Sequence, residues 1–123
     1  MPFTSFSEYR VEKDKSRTPV WFARGEDRPL TFFAGIWTEW TSVRKLKEGE
    51  VTAELYGFLT TEANDTVGAV HPKAMPVILT EPDEWEMWLT APFEEARALQ
   101  RPLAEGVLEV VAEGARRDGV EGV

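Results

Sequence analysis

Short segments in which apolar and polar side chains alternate fill most of the first two-thirds of the chain. A period of two is typical of strands that bury one face, and the turn-forming cluster at residues 25–29 predicts a break between two of them. The run from Leu30 to Trp37 is strongly apolar and predicts a central strand, in which Gly35 indicates a bulge or a close backbone approach. The other segments with strand character are residues 3–11, 19–24, 51–60, 76–79 and 106–111.

Helix-start signals follow these strands. A helix is predicted from Thr80 to about Leu89, because Thr80 can cap free backbone N–H groups and Pro82 is tolerated in the first turn. A second start at Pro92 leads into residues 93–99. Residues 61–70 are expected to form a short helix or helical turn. Strands combined with a few short helices in this way indicate the α+β class.

One folded domain is expected over residues 1–113. No internal repeat, low-complexity tract or linker divides this range. The connection at residues 41–50 is polar and basic. Residues 114–123 are rich in Gly and charged side chains, and they are predicted to form a flexible C-terminal tail.

The residue inventory excludes several kinds of site. The 123 residues include no Cys, which excludes disulfides, thiolate metal sites and a cysteine nucleophile within this polypeptide. A single His without metal-ligand spacing predicts no metal, and no cofactor is expected. No apolar run approaches the roughly 18 residues of a membrane helix, and the first residues lack the pattern of a signal peptide. We therefore expect a cytoplasmic protein with no membrane partner.

The charge is unevenly distributed. The formal net charge is −8, but residues 1–47 carry nine basic and six acidic side chains, whereas residues 48–123 carry five and sixteen. An acidic chain argues against nucleic-acid binding, because contacts between basic side chains and phosphates supply most of that affinity. The basic first part reduces this objection without removing it.

Two groups stand out for their chemistry. His71 is the one histidine and can exchange protons near neutral pH, although an ordinary loop histidine is the simpler interpretation. Removal of Met1 would expose the amine of Pro2, which could attack an aldehyde, although an inert chain end is simpler. Glycine-rich phosphate loops and a G-x-S-x-G elbow are absent. A hydrolase that uses a pair of carboxylates remains possible, but 22 acidic residues make such pairs common by chance, so they identify no site.

Five stretches, taken in order, resemble motifs of one family. Ser5–Tyr9 loosely matches a strand written G-F-Y-E-W, and Phe33–Trp37 closely matches F-A-G-L-W. Tyr56–Asn64 corresponds to F-x-I-L-T-T-x-A-N, Val70–Leu79 to I-H-x-R-M-P-V-I-L, and Trp88–Leu89 to a downstream W-L. The chain thus resembles the SRAP (SOS-response-associated peptidase) family. The resemblance implies a mostly antiparallel, curved, barrel-like sheet with a few short helices, of which this chain holds the later portion.

What the resemblance implies functionally is abasic-site chemistry in the SOS response to DNA damage. Members of the family bind single-stranded DNA and cross-link to the abasic aldehyde through an N-terminal Cys, which forms a Schiff base and then a thiazolidine ring. A Glu lies beside this nucleophile, and a His helps to open the sugar ring. The matching positions give Glu8 and His71 as the implied catalytic residues. The implied DNA-binding residues are Thr60, Tyr9, Lys73 and Asn64.

This sequence departs from the family pattern in two respects. It contains no Cys and nothing that matches the family's earlier segment, and His71 to Pro76 is one residue longer than the usual spacing. We expect Glu8 and His71 to lie within about 10 Å of each other, as one reacting group would require. We also expect no stable cross-link to abasic DNA.

Three interpretations remain open. The first is a truncated family member that binds single-stranded or abasic DNA weakly, or that joins a Cys-bearing N-terminal fragment. The second is a non-catalytic interaction module that pairs with another chain or with itself through exposed sheet edges. The third takes the peptidase name literally, although the implied nucleophile is missing, so whether the chain is an enzyme stays open.

Overall fold

The computed structural model describes residues 1–42, 49 and 51–118. The basic side chains of the predicted connection, Arg44, Lys45 and Lys47, lie outside the described residues, as does the end of the predicted tail at 119–123. Within the described part, no helix is long and apolar enough to cross a membrane.

Short strands dominate the described part of the chain. They are β1 (Pro2–Phe3), β2 (Phe6–Val11), β3 (Arg17–Ala23), β4 (Thr31–Phe33), β5 (Gly35–Ser42), β6 (Val51–Phe58), β7 (Thr60–Thr61), β8 (Met75–Pro76), β9 (Ile78–Leu79) and β10 (Glu109–Glu113). The helices are α1 (Asp65–Gly68), α2 (Pro82–Thr90) and α3 (Phe93–Ala96), and a 3₁₀ turn follows at Arg97–Leu99.

All strand pairs among the described residues are antiparallel. Strands β2, β3 and β10 form one sheet and β1, β4 and β9 another, while β5 pairs with β6 and β7 with β8. The predicted α+β class with mostly antiparallel strands is thereby confirmed. These ladders do not close into a barrel.

The predicted central strand is divided at Ala34 into β4 and β5. The Ala34 N–H donates to the Val77 carbonyl at 2.9 Å, and its own carbonyl accepts from the Leu59 N–H at 3.0 Å. The Val77 N–H donates in turn to the Leu59 carbonyl at 2.9 Å, so three ladders meet at these buried or half-buried residues. A Cβ atom at Gly35 would lie 3.3 Å from the Gly57 carbonyl oxygen, which confirms the close approach expected there.

Two apolar clusters form the core. The larger one joins Phe3, Phe6 and Phe22 to Val67 and Ile78 from the later part of the chain. The Phe3 ring stacks on Phe33 with centroids 4.0 Å apart, slightly closer than the roughly 4.5–7 Å that is usual for aromatic pairs. The smaller cluster packs Trp85 and Trp88 of α2 against Ala34, Val77, Leu79 and Leu99.

Helix α2 begins at Pro82, one residue later than a cap at Thr80 predicts. Glu81 takes the N-cap position in place of Thr80, because the Glu84 carboxylate accepts from the Glu81 N–H at 3.2 Å and the Thr80 N–H at 3.0 Å. This is the reciprocal capping arrangement shifted by one residue, with Pro82 as the first helical residue.

The described part of the predicted tail contacts β3 and the turn after it. Ala115 is buried, and its carbonyl accepts a hydrogen bond from the Trp21 indole N–H at 2.9 Å. The Arg28 guanidinium forms an ion pair with Asp118. Residues 114–118 therefore pack against the domain.

Candidate functional site

Glu8 lies on the core-facing side of β2, at the point where this side becomes accessible to solvent. Side chains two residues apart on a strand share a face, so Glu8 follows the buried Phe6. Across the ladder, Phe6 is paired with Phe22 and Glu8 with Val20, both of which are fully buried. The Glu8 carboxylate is thus held against the rim of the core, and its side chain is 24% exposed.

His71 is placed by the turn that ends α1. Its backbone N–H donates to the Val67 carbonyl at 2.7 Å, and Val67 is fully buried in the core. His71 Nδ1 lies 3.9 Å from Glu8 Oε2. The expected proximity of the two side chains is therefore confirmed.

The His71 ring is oriented by the loop that follows it. Nδ1 lies 3.0 Å from the Ala74 carbonyl oxygen, which can only accept, so Nδ1 carries the proton of this hydrogen bond. In the neutral ring Nε2 then has a free lone pair, and the side chain is 37% exposed. The Glu8–His71 contact is too long for a hydrogen bond and leaves both groups available to a third reacting group.

Partial burial raises the pKa of Glu8 above its ordinary value, and the charge of His71 lowers it by a smaller amount. Burial disfavours the charged form of a carboxyl group, because the surrounding protein solvates it less well than water. A carboxyl group with a raised pKa is a better proton donor near neutral pH than an ordinary surface glutamate.

Replacing Glu8 with Gln is expected to stabilise the fold at neutral pH by up to about 1 kcal/mol, or a few degrees in Tm. A raised pKa in the folded state means that the stability associated with protonated Glu8 is complete below the unfolded pKa and is lost as the pH rises. The gain from Glu8→Gln should therefore vanish below about pH 4. Thermal unfolding of both proteins across this pH range measures it.

Glu12→Gln is the matched control. Hydrogen bonds, first from Arg10 and then from Thr18, lower the pKa of Glu12, so the sign is reversed. This substitution should lower Tm at neutral pH and have little effect in acid. A Glu8→Gln variant that is less stable at neutral pH would contradict the role of burial.

A groove of about 570 Å³ surrounds the pair. It is lined by Glu8, Tyr9, Arg10, Val11, Arg17, Ala69, Val70, His71, Pro72 and Lys73. Four of the six residues singled out in the sequence therefore meet here, namely Glu8, Tyr9, His71 and Lys73. Tyr9 is about half exposed and Lys73 is exposed, so both are accessible to a ligand.

Thr60 and Asn64 do not line this groove. Thr60 is exposed on β7, where its carbonyl accepts from the Gln100 side chain at 3.0 Å. Asn64 is buried: its side-chain oxygen accepts from the Val67 N–H at 3.0 Å, and its amide donates to the Leu103 carbonyl at 3.1 Å. Both polar ends of Asn64 are thus used within the protein, as the N-cap of α1 and as a link to residue 103.

Two arginines at the groove were missed from the sequence. Arg10 shares the face of β2 with Glu8 and binds Glu12 and Glu113 at 3.0 and 3.1 Å. Arg17 is exposed and forms no ion pair with a described residue. It lies opposite Val11 in the β2–β3 register. The period-two pattern of β2 places Arg10 on the same face as Glu8 and could have identified it. Arg17 could be placed at the groove only once the pairing of β2 with β3 was known.

A second, apolar cavity of about 470 Å³ lies between α2 and the β5–β6 hairpin. Met1 lines this cavity, and its N-terminal ammonium donates to the Phe33 carbonyl at 3.2 Å. Pro2 is paired with Phe32 in β1. The amine considered in the sequence is therefore next to the apolar cavity, while Glu8 and His71 line the other groove.

Within the described part of the chain, no group of three or more His, Asp or Glu side chains is arranged to hold an ion.

A comparison with models of protein families gives a match to most of the chain. The model of a family described as SOS response associated peptidase (SRAP) matches residues 1–113. This range includes every element from β1 to β10, and both cavities lie within it. No curated protein matches the chain.

Proposed function

The chain belongs to the SOS response associated peptidase (SRAP) family, and on that basis we propose that it binds single-stranded DNA at an abasic site in the Glu8–His71 groove. The observation that carries this proposal is the contact between Glu8 and His71 at 3.9 Å within an open groove that also holds exposed cationic side chains. The resemblance to the family's motifs implies the ligand, and the groove offers side chains whose chemistry suits it.

The cations of the groove favour a phosphodiester ligand. Arg17 and Lys73 line it without an acidic partner among the described residues, so their charges are available to phosphates. Arg10 is already bound to Glu12 and Glu113 and contributes less. Tyr9 offers an exposed ring on which an unpaired base can stack.

The Glu8–His71 pair suits the ring opening of an abasic sugar. Converting the cyclic hemiacetal into the aldehyde removes a proton from the C1′ hydroxyl and adds one to the ring oxygen. Glu8 with its raised pKa can donate a proton, and His71 Nε2 can accept one. The two groups are close enough to act on one sugar.

This polypeptide is expected to form no denaturation-resistant adduct with an abasic single strand, because it contains no Cys to close a thiazolidine ring. The measurement is a denaturing gel after incubation with a labelled abasic oligonucleotide. Fluorescence anisotropy on the same samples should show reversible binding. A persistent adduct would contradict this prediction, and borohydride reduction followed by mass spectrometry would identify the attacking amine.

A Cys-bearing N-terminal fragment supplied by a separate polypeptide would complete the family's reaction. Adding such a fragment to the assay should produce the adduct only when Glu8 and His71 are intact. Absence of an adduct with the fragment, together with normal reversible binding, would limit the proposal to recognition of the abasic site.

A non-catalytic interaction module is the second candidate function. It is favoured by the exposed apolar side chains around the other cavity, of which Leu89, Trp37 and Tyr56 are the most exposed. Exposed apolar surfaces of this kind mark sites of interaction in soluble proteins.

A further inference from the structure

The most exposed apolar surface of the described chain is the cavity between α2 and the β5–β6 hairpin, here called the apolar groove. Trp37 and Tyr56 face each other across the hairpin and are 72% and 71% exposed, and Leu89 at the end of α2 is 81% exposed. The floor is apolar, formed by Phe32, Phe33 and Leu79 with the rings of Trp85 and Trp88. A groove of about 470 Å³ can take one or two large side chains, which an exposed pair of aromatic rings would flank.

An open strand edge lies beside this groove. Met1 and Phe33 exchange backbone hydrogen bonds of 2.8 and 3.2 Å, which extend the β1–β4 pairing to the last residue of β4. Strand β5 then continues from Gly35 and, within the described residues, pairs with β6 alone. The Gly35 carbonyl already accepts from the Trp88 indole N–H at 2.8 Å, so an extended peptide would pair with the part of β5 beyond Gly35.

The strands and the helix that border the groove carry acidic side chains and no basic ones. Strands β5 and β6 and helix α2 contain no Lys, Arg or His. Glu39 and Glu54 are directly opposite each other in the hairpin, and both are exposed. Like charges that face each other across two strands repel each other. Glu39 and Glu54 are each two residues from Trp37 and Tyr56 on their strands, so all four side chains lie on the same face of the hairpin. A cationic side chain placed between the two carboxylates would relieve the repulsion, next to aromatic faces that also attract cations.

We propose that the apolar groove binds an extended polypeptide segment in which apolar side chains alternate with lysine or arginine. The apolar side chains enter the cavity beside Trp37 and Leu89. The basic ones lie over Glu39 and Glu54, and the backbone pairs with β5. A second copy of this chain is a poor occupant, because it would bring the same acidic face against Glu39, Glu54 and the acidic side chains of α2.

The test uses the full chain and a fluorescein-labelled synthetic peptide in which Lys alternates with Val and Phe. Saturable binding that weakens with added salt is expected. A peptide with Glu in place of every Lys should not bind. Failure of the lysine peptide to saturate, or equal binding of the glutamate peptide, overturns the proposal.

Variants locate the binding surface. Trp37→Ala removes an exposed ring and should weaken binding about tenfold without loss of folding, which circular dichroism checks. The double substitution of Glu39→Gln with Glu54→Gln should weaken it about threefold and flatten its dependence on salt. Tyr9→Ala, an exposed aromatic at the other groove, is the matched control and should leave peptide binding unchanged.

Sedimentation velocity of the chain alone tests whether a second copy of the chain occupies the groove. A monomer across the concentration range agrees with the proposal. A dimer that Trp37→Ala dissociates would show that a second copy fills the groove, and the proposal would be wrong. DNA binding at the Glu8–His71 groove is unaffected by either outcome, so this inference and the proposed function fail separately.

Discussion

Replacing Asn64 with Ala is expected to lower the free energy of unfolding by about 2–3 kcal/mol, because its buried side chain makes two hydrogen bonds to the backbone of separate segments. Its oxygen caps α1 through the Val67 N–H, and a lost cap costs about 1 kcal/mol. Its amide satisfies the Leu103 carbonyl, which would be left without this donor in a buried position. Equilibrium unfolding in urea measures the loss.

Two further substitutions separate the contributions of Asn64. Asn64→Asp keeps the capping oxygen but loses the amide donor to Leu103, so it tests the second bond apart from the first. Glu62→Ala, an exposed neighbour, is the control and should stay within about 0.5 kcal/mol of the native chain. If Asn64→Ala left stability unchanged and weakened DNA binding alone, Asn64 would be a DNA contact and its structural role would be refuted.

The class of the fold follows from local patterns, whereas the breaks between elements do not. Period-two alternation identified β2 and β3, because Phe6, Val20 and Phe22 are buried on their core faces. It could not divide residues 30–37 into β4 and β5, since both halves are apolar and the division arises where Ala34 changes its hydrogen-bond partners. The start of α2 shifted because Glu81 takes the N-cap position in a reciprocal pair with Glu84, whose carboxylate also accepts from the Thr80 N–H.

The candidate site was predicted in part for equally specific reasons. Motif positions gave Glu8 and His71, and the structure brings them to 3.9 Å. The same motifs gave Asn64 and Thr60, but a motif records which residue occurs and does not record its burial or its direction. Arg17 was missed because it reaches the groove only through the register of the β2–β3 hairpin.

Net charge proved a poor guide to the charge of the groove. The chain carries −8 overall, and that value argued against a nucleic-acid ligand. The excess of acidic residues belongs to positions 48–123, whereas Arg10 and Arg17 come from the basic first part of the chain and Lys73 from a loop that folds against it. Charges separated by more than about 8–10 Å are screened at physiological salt, so the groove is governed by its own side chains.

Replacing Arg17 and Lys73 together with Ala should reduce the affinity for an abasic single strand at least tenfold at low salt. Each of the two cations that neutralises a phosphate releases a counterion, so the double variant should also lower the slope of log affinity against log salt by about 1.4. Fluorescence anisotropy over a salt series gives both quantities. The matched control is Arg116→Ala with Arg117→Ala, which removes two exposed positive charges that do not line the groove. If the two double variants lost affinity equally, overall charge alone would govern binding, and the groove would have no special part in holding DNA.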